Sequence, residues 1–200
     1  MKKDKYFAIG VMSGTSFDGI DISFIESDGK TSFKAIFSKY YKYDIELRKR
    51  LKFLTDNYTK SNKNNNEIIR IDDLVTRAYI KSIQDFLKEI KNFNVDIISL
   101  HGQTIYHNPK RRSSLQLCNA EKINKYFMID TIYDFRQNDI INNGEGAPLT
   151  PIFHKLINSN LSLKGVNAFL NIGGVSNITI IENNKIISAF DVGPGMAILN

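Results

Sequence analysis

Residues 13–21, SGTSFDGID, place two glycines, three hydroxyl residues and two aspartates inside a run that otherwise reads as apolar strand, IGVMSGTSFDGIDISFIE. Glycine lets a backbone approach a ligand closely, and turn amides and hydroxyls directed inward suit phosphate oxygens. The same plan recurs at residues 166–183, VNAFLNIGGVSNITIIEN: apolar strand, glycine turn with amide and hydroxyl neighbours, apolar strand. A single polar hairpin turn is commonplace. Two of them, each opening a sheet, predict two related half-domains that hold a ligand's phosphates across a cleft. Asp191 closes the apolar stretch KIISAF just before VGPG. A carboxylate at a strand end, beside a turn into a helix N-terminus, is well placed for chemistry or to cap that helix.

Other nucleotide signatures do not fit. There is no GxxxxGK[ST] loop, and the G-x-G triplets at Gly144–Gly146 and Gly193–Gly195 lack the third glycine of a dinucleotide fingerprint.

The elements that must position these residues follow from periodicity. Tyr6–Met12 and Ile20–Glu26 read as a hairpin, and the alternating run from Thr31, TSFKAIFSKYYKY, as a third antiparallel strand. Helices are predicted from Asp44 to Asp56 and from Asn66 to Asn92, the second with apolar residues recurring from Ile68 to Ile90. Between them YTKSNKNNN is polar and aperiodic, a surface loop. VDIISL at 95–100 is a short buried strand, and following a long helix it is expected to join the sheet in parallel. That puts His101 at a strand end facing the cleft and His107 in a loop. A short helix AEKINKYF, a glycine-dense zone from Asn142 to Gly146 and a helix from Pro148 to Asn158 lead into the second hairpin.

Composition narrows the classes. With 42% hydrophobic and 11% aromatic residues, 200 residues can bury a core for one domain or two small ones. The net charge of +6 comes from 27 basic and 21 acidic residues that are interspersed, which reads as a solvated surface and not a nucleic-acid patch. One cysteine, Cys118, excludes an internal disulfide and fits a reducing cytoplasm, and no Cys/His spacing matches a zinc site. No apolar run approaches the roughly 18 residues that span a bilayer, and the basic start leads into turn residues without a cleavage site. Neither nucleic acid nor membrane is an expected partner.

The stretches GVMSGTSFDGIDISFIE, HGQTIYHNP, DFRQNDIINNGEGAPLTPIFH, LNIGGVSNIT and FDVGPG, from residue 9 to about 195, resemble in the same order the motifs of anhydro-N-acetylmuramic acid kinases, of the actin, Hsp70 and sugar kinase superfamily. The resemblance implies an α/β, actin-like ATPase (RNase H-like) fold, a mixed sheet with flanking helices. It implies a first domain over 1–145 and the start of a second over 146–200. The implied reaction is ATP-dependent phosphorylation of 1,6-anhydro-N-acetylmuramic acid with hydrolytic opening of the anhydro ring, in cell-wall recycling. By the same resemblance Gly14, Thr15, Ser16, Phe17, Asp18, Gly19, Ile20 and Asp21 form the first ATP phosphate hairpin. Gly173, Gly174 and Asn177 belong to the second, and Asp191 is the general base. His101, Gln103, Thr104, Asp134, Arg136, Gly146, Ala147 and Pro148 are the implied sugar contacts, with the Arg136 fork suited to the lactyl carboxylate and oriented by Asp134. No protein metal site is implied. Mg²⁺ is expected to arrive with ATP, held by phosphates, water and Asp18.

Two departures stand out. Met196 and Asn200 occupy positions where the family has Asn and Asp, and family chains are considerably longer, so the second domain is expected to be incomplete, with an apolar face uncovered. The family also forms dimers, which makes a homodimer an expectation here. Two alternatives stay open: a non-catalytic nucleotide or muramyl-sugar binder, and a metal-dependent nuclease using Asp18, Asp21 and Asp191, against which Asp18 lies in a glycine turn instead of a strand centre.

Overall fold

The computed structural model describes residues 3–58 and 65–196. The middle of the polar segment YTKSNKNNN, the helix expected after Gly195, and Asn200 lie outside the described residues. Contacts divide the chain into two compact units, Met1–Phe135 and Arg136–Asn200.

In the first unit β1 (Tyr6–Ser13), β2 (Gly19–Ser27) and β3 (Phe33–Lys42) form the expected antiparallel meander. Alternation does the sorting: Val11, Ile20, Ile22 and Phe24 are buried while Met12 and Asp21 face out. Helix α1 (Ile45–Asn57) starts where the Asp44 carboxylate accepts the Leu47 N–H at 2.7 Å. Helix α2 (Asn66–Glu89), capped by Asn65, buries Ile68, Ile71, Val75, Tyr79, Ile83 and Phe86, the spacing of one helical face. Each such side chain contributes about 1.5–3 kcal/mol on burial.

Strand β4 (Ile97–Asn108) then pairs in parallel with β1, as a strand after a long helix should. It is twice as long as the short strand expected at 95–100. The reason is tertiary: β5 (Ser113–Leu117) folds back on its second half, from Gln103 to Asn108, through a tight turn at Pro109–Arg111 that the Asn108 side chain caps. After α3 (Ala120–Phe127), β6 (Asp130–Ile132) pairs in parallel with the first half, Ile97–Ser99. The sheet order is β3-β2-β1-β4-β5, with β6 beside β4. The chain is thus α/β, with a mixed sheet and flanking helices in its first unit.

The second unit contains α4 (Phe135–Ile141), α5 (Pro151–Asn160) and an antiparallel sheet in the order β7 (Val166–Ile172), β8 (Val175–Glu182), β9 (Lys185–Pro194). Helix α5 begins three residues later than expected, with Pro151 and not Pro148 in its first turn, where the missing N–H of proline costs nothing. Strand β9 also runs further than KIISAF. Gly193 and Pro194 continue its pairing with Ser176 and Val175, so Asp191 lies inside a strand instead of at its end.

Candidate functional site

In the first unit the turn Gly14–Asp18 joins β1 to β2 and is held from beneath. Ser13 Oγ is buried, 2.9 Å from the Tyr43 hydroxyl and 2.7 Å from that of Tyr79. Gln103 Nε2 donates to the Gly14 carbonyl at 2.9 Å, the Phe17 N–H closes the turn onto the same oxygen, and the Tyr43 N–H donates to the Asp18 carbonyl at 2.9 Å. Phe17, at φ +56°, and Ile20 send their side chains into the core, so only their backbone can meet a ligand. Gly19 is required by space: a Cβ there would lie 2.3 Å from the Tyr41 carbonyl oxygen. Thr15 is left exposed, and Ser16 Oγ donates to Asp18 Oδ1 at 2.5 Å.

Asp21 sits across from Met12 and Tyr40 on the open side of the meander. Partial loss of hydration, and then the charge of Asp18, push its carboxyl above the usual range. Two neighbouring carboxylates beside a glycine turn, Asp18 and Asp21, are a donor set that a divalent cation relieves, so these residues fit Mg²⁺ brought by a nucleotide. Among the described residues no group of three or more His, Cys, Asp or Glu is gathered as a metal site.

His101 lies within β4, half-buried, and not at a strand end; its Nδ1 donates to the Gly102 carbonyl at 2.8 Å. His107 also lies in β4 instead of a loop, with Nδ1 3.1 Å from Ser114 Oγ. Both differences come from β5, which extends the strand past Leu100. Thr104 Oγ1 accepts from Gln116 of β5 at 3.3 Å. Asp134 is exposed, at φ +61°.

In the second unit the hairpin of Asn171–Asn177 turns at Gly173 and Gly174. Their carbonyls accept the N–H groups of Met196 and Gly195 at 2.8 and 2.9 Å. Met196 makes its bond through the backbone, so this link does not depend on the side chain that departs from the family pattern. Asn171 pairs with Asn177, and Asn177 with Asp191, so three polar side chains form one row across three strands on one face. Asn177 Oδ1 is buried without a hydrogen-bond partner, an acceptor that a ligand donor would satisfy. Arg136 is half-buried. Burial lowers the pKa of its guanidinium and the charge of Asp191 opposes that shift, so the arginine lies within the field of the base candidate.

Arg136 Nη1 donates to the Gly146 carbonyl at 2.6 Å, while the Gly146 N–H donates to Asp139 Oδ2 at 2.7 Å. One glycine, at φ +69°, is gripped on both sides by two residues of α4, which folds the GEGAP loop with Ala147 and Pro148 against the helix. In the next row of the sheet, Phe169–Thr179–Ala189, the His154 ring of α5 stacks on Phe169 at 5.2 Å and its Nδ1 lies 2.9 Å from Thr179 Oγ1.

Sequence reasoning passed over Tyr43, Tyr79, Asp139 and His154. Tyr79 blends into the apolar stripe of α2, and only its hydroxyl reveals the second role. Asp139, three residues after Arg136 on a helix, was open to detection by i,i+3 spacing.

Fold and geometry define a class: an α/β protein with a glycine-turn hairpin in each unit and a strand carboxylate in the second. Residues 6–200 match the anhydro-N-acetylmuramic acid kinase family, and the chain belongs to it. It is 38% identical over 200 residues to the anhydro-N-acetylmuramic acid kinase of Pelagibacter ubique, covering 98% of this chain and 53% of that protein. To the kinase of Methylobacterium nodulans it is 34% identical, covering 96% of this chain and 56% of the relative. The chain therefore spans about half the length of these curated relatives. Among solved structures, the type II variant of the Aquifex aeolicus Ppx/GppA phosphatase aligns with TM-score 0.47 at 8% identity, over 97% of this chain and 54% of that one.

Proposed function

We propose that the chain serves the family reaction: ATP, water and 1,6-anhydro-N-acetylmuramic acid giving N-acetylmuramic acid 6-phosphate and ADP, in the cytoplasm. The observation that carries this reading is the row Asn171–Asn177–Asp191 with Arg136 within reach of the Asp191 charge. It brings together the second hairpin's amide side chains, a general base and a carboxylate-binding guanidinium.

Asp191 takes a proton from water as that water attacks C1 of the sugar. The C1–O6 bond breaks, and the freed O6 accepts the γ-phosphoryl group as ADP leaves. Asp191 then returns its proton to solvent. Each glycine turn, 14–19 in the first unit and 173–174 in the second, is read by itself as a phosphate-binding turn offering backbone N–H groups, with Thr15 and Ser16 adding hydroxyls to the first. The Arg136 guanidinium is the group suited to the lactyl carboxylate, and its grip on Gly146 sets the GEGAP loop against the sugar. Asp18, together with phosphates and water, would hold Mg²⁺, which would supply neutralisation of the developing phosphate charge.

Mass-spectrometric detection of the phosphosugar, coupled to ADP release, tests this. The expected result is product from the chain with Mg²⁺–ATP and the anhydro sugar, and a rate about 10²–10⁴-fold lower in Asp191→Asn. Equal rates in the variant would overturn the assignment of Asp191. Nucleotide or sugar binding with no phosphosugar would instead favour binding without turnover.

A further inference from the structure

Ser13 of β1 and Gln103 of β4 stand opposite one another although the two strands change step just before. Val11 faces Leu100 and Met12 faces Gly102, so His101 is the extra residue of a bulge. A bulge re-aims the side chains that follow it. Gly102, at φ +77°, makes it possible, and a Cβ there would press to 2.9 Å from the Leu117 carbonyl. Gln103 thereby comes to the face of the buried Ser13, fully enclosed, and its Nε2 reaches the Gly14 carbonyl 89 positions away. Its Oε1 is buried with no hydrogen-bond partner. An orphaned acceptor is costly, so packing alone favours an apolar residue here. What glutamine adds is the donor to Gly14.

We propose that Gln103 is a positioning residue for the first phosphate hairpin. Its amide holds the Gly14 carbonyl so that the glycine turn keeps the conformation in which its N–H groups meet phosphate. This rests on the nucleotide reading above and deepens it. Gln103 becomes a strut between β4, which carries His101 and Thr104, and the phosphate turn, instead of a sugar contact.

Amide hydrogen exchange of residues 14–19, with calorimetric binding of Mg²⁺–ATP and of the anhydro sugar, tests the strut in wild type, Gln103→Met and Gln103→Glu. Methionine keeps the length, removes the donor and removes the orphaned acceptor, so the fold is expected to survive. In Gln103→Met the turn should exchange about tenfold faster with α2 and β3 unchanged, and Mg²⁺–ATP should bind about tenfold more weakly at unaltered sugar affinity, the worth of one net hydrogen bond. Gln103→Glu separates hydrogen bonding from packing: turn protection, corrected for intrinsic exchange, should return at acid pH, where the carboxyl has a proton to donate, and fall at alkaline pH. Unchanged exchange in Gln103→Met, unchanged Mg²⁺–ATP affinity, or a loss confined to the sugar overturns the proposal. Failure of the wild type itself to bind Mg²⁺–ATP removes the nucleotide reading and this proposal with it.

Discussion

At the scale of single residues, the first hairpin is shaped more by exclusion than by attraction. Gly19 has the Tyr41 carbonyl and the Tyr40 ring where a side chain would begin, at 2.3 and 2.7 Å. Backbone cannot yield as a flexible side chain does, so Gly19→Ala should destabilise the chain by about 1–3 kcal/mol, measured as a lower midpoint in urea. Gly14 is different: the contact its Cβ would make is an ordinary 3.5 Å to Ser16 Oγ. Gly14→Ala should leave the urea midpoint nearly unchanged. The contrast between the two variants separates a glycine demanded by packing from one whose role lies at the turn surface.

At the scale of elements, α5 is tied to its sheet by a titratable contact. Burial lowers the pKa of His154, which meets Thr179 and Phe169 in its neutral form. A depressed folded-state pKa means that the unfolded chain binds the proton first as pH falls. The contribution is therefore complete above the ordinary histidine value of about 6.5 and is lost as pH drops through the folded-state value. Stability of the second unit, followed by exchange in β7 and β8, should decline on acidification from pH 7, and His154→Gln should flatten that decline. An identical slope in the variant would place the acid sensitivity elsewhere. The α4 clamp on Gly146 is the other element-scale device, since Arg136 and Asp139 share one helix and grip one peptide unit.

At the scale of the molecule, the second unit's sheet presents an apolar face. Leu170, Ile178 and Phe190 form one row across its three strands, with Ile172 beside it; Leu170 is 57% exposed, Ile172 59% and Phe190 46%. Contiguous apolar surface of this kind drives association. Light scattering should show concentration-dependent self-association of the chain, and the double variant Leu170→Lys, Phe190→Lys should suppress it while leaving secondary structure intact. No helix among the described residues is long and apolar enough to cross a membrane.

The sequence by itself determined the meander, the capped helices, the parallel return of β4 and the second hairpin, because each rests on periodicity and on local capping or turn chemistry. It marked Gly14–Asp21 and Gly173–Asn177 as turns that could hold phosphate, and Asp191 as a carboxylate of interest. Only the tertiary structure decided the rest. The length of β4 depended on a partner strand, and with it the places of His101 and His107. The setting of Asp191 beside Asn177 came from pairing across β8 and β9. Gln103 reached Gly14 only through a bulge in register between β1 and β4, a property of two strands nearly ninety residues apart that no local pattern encodes.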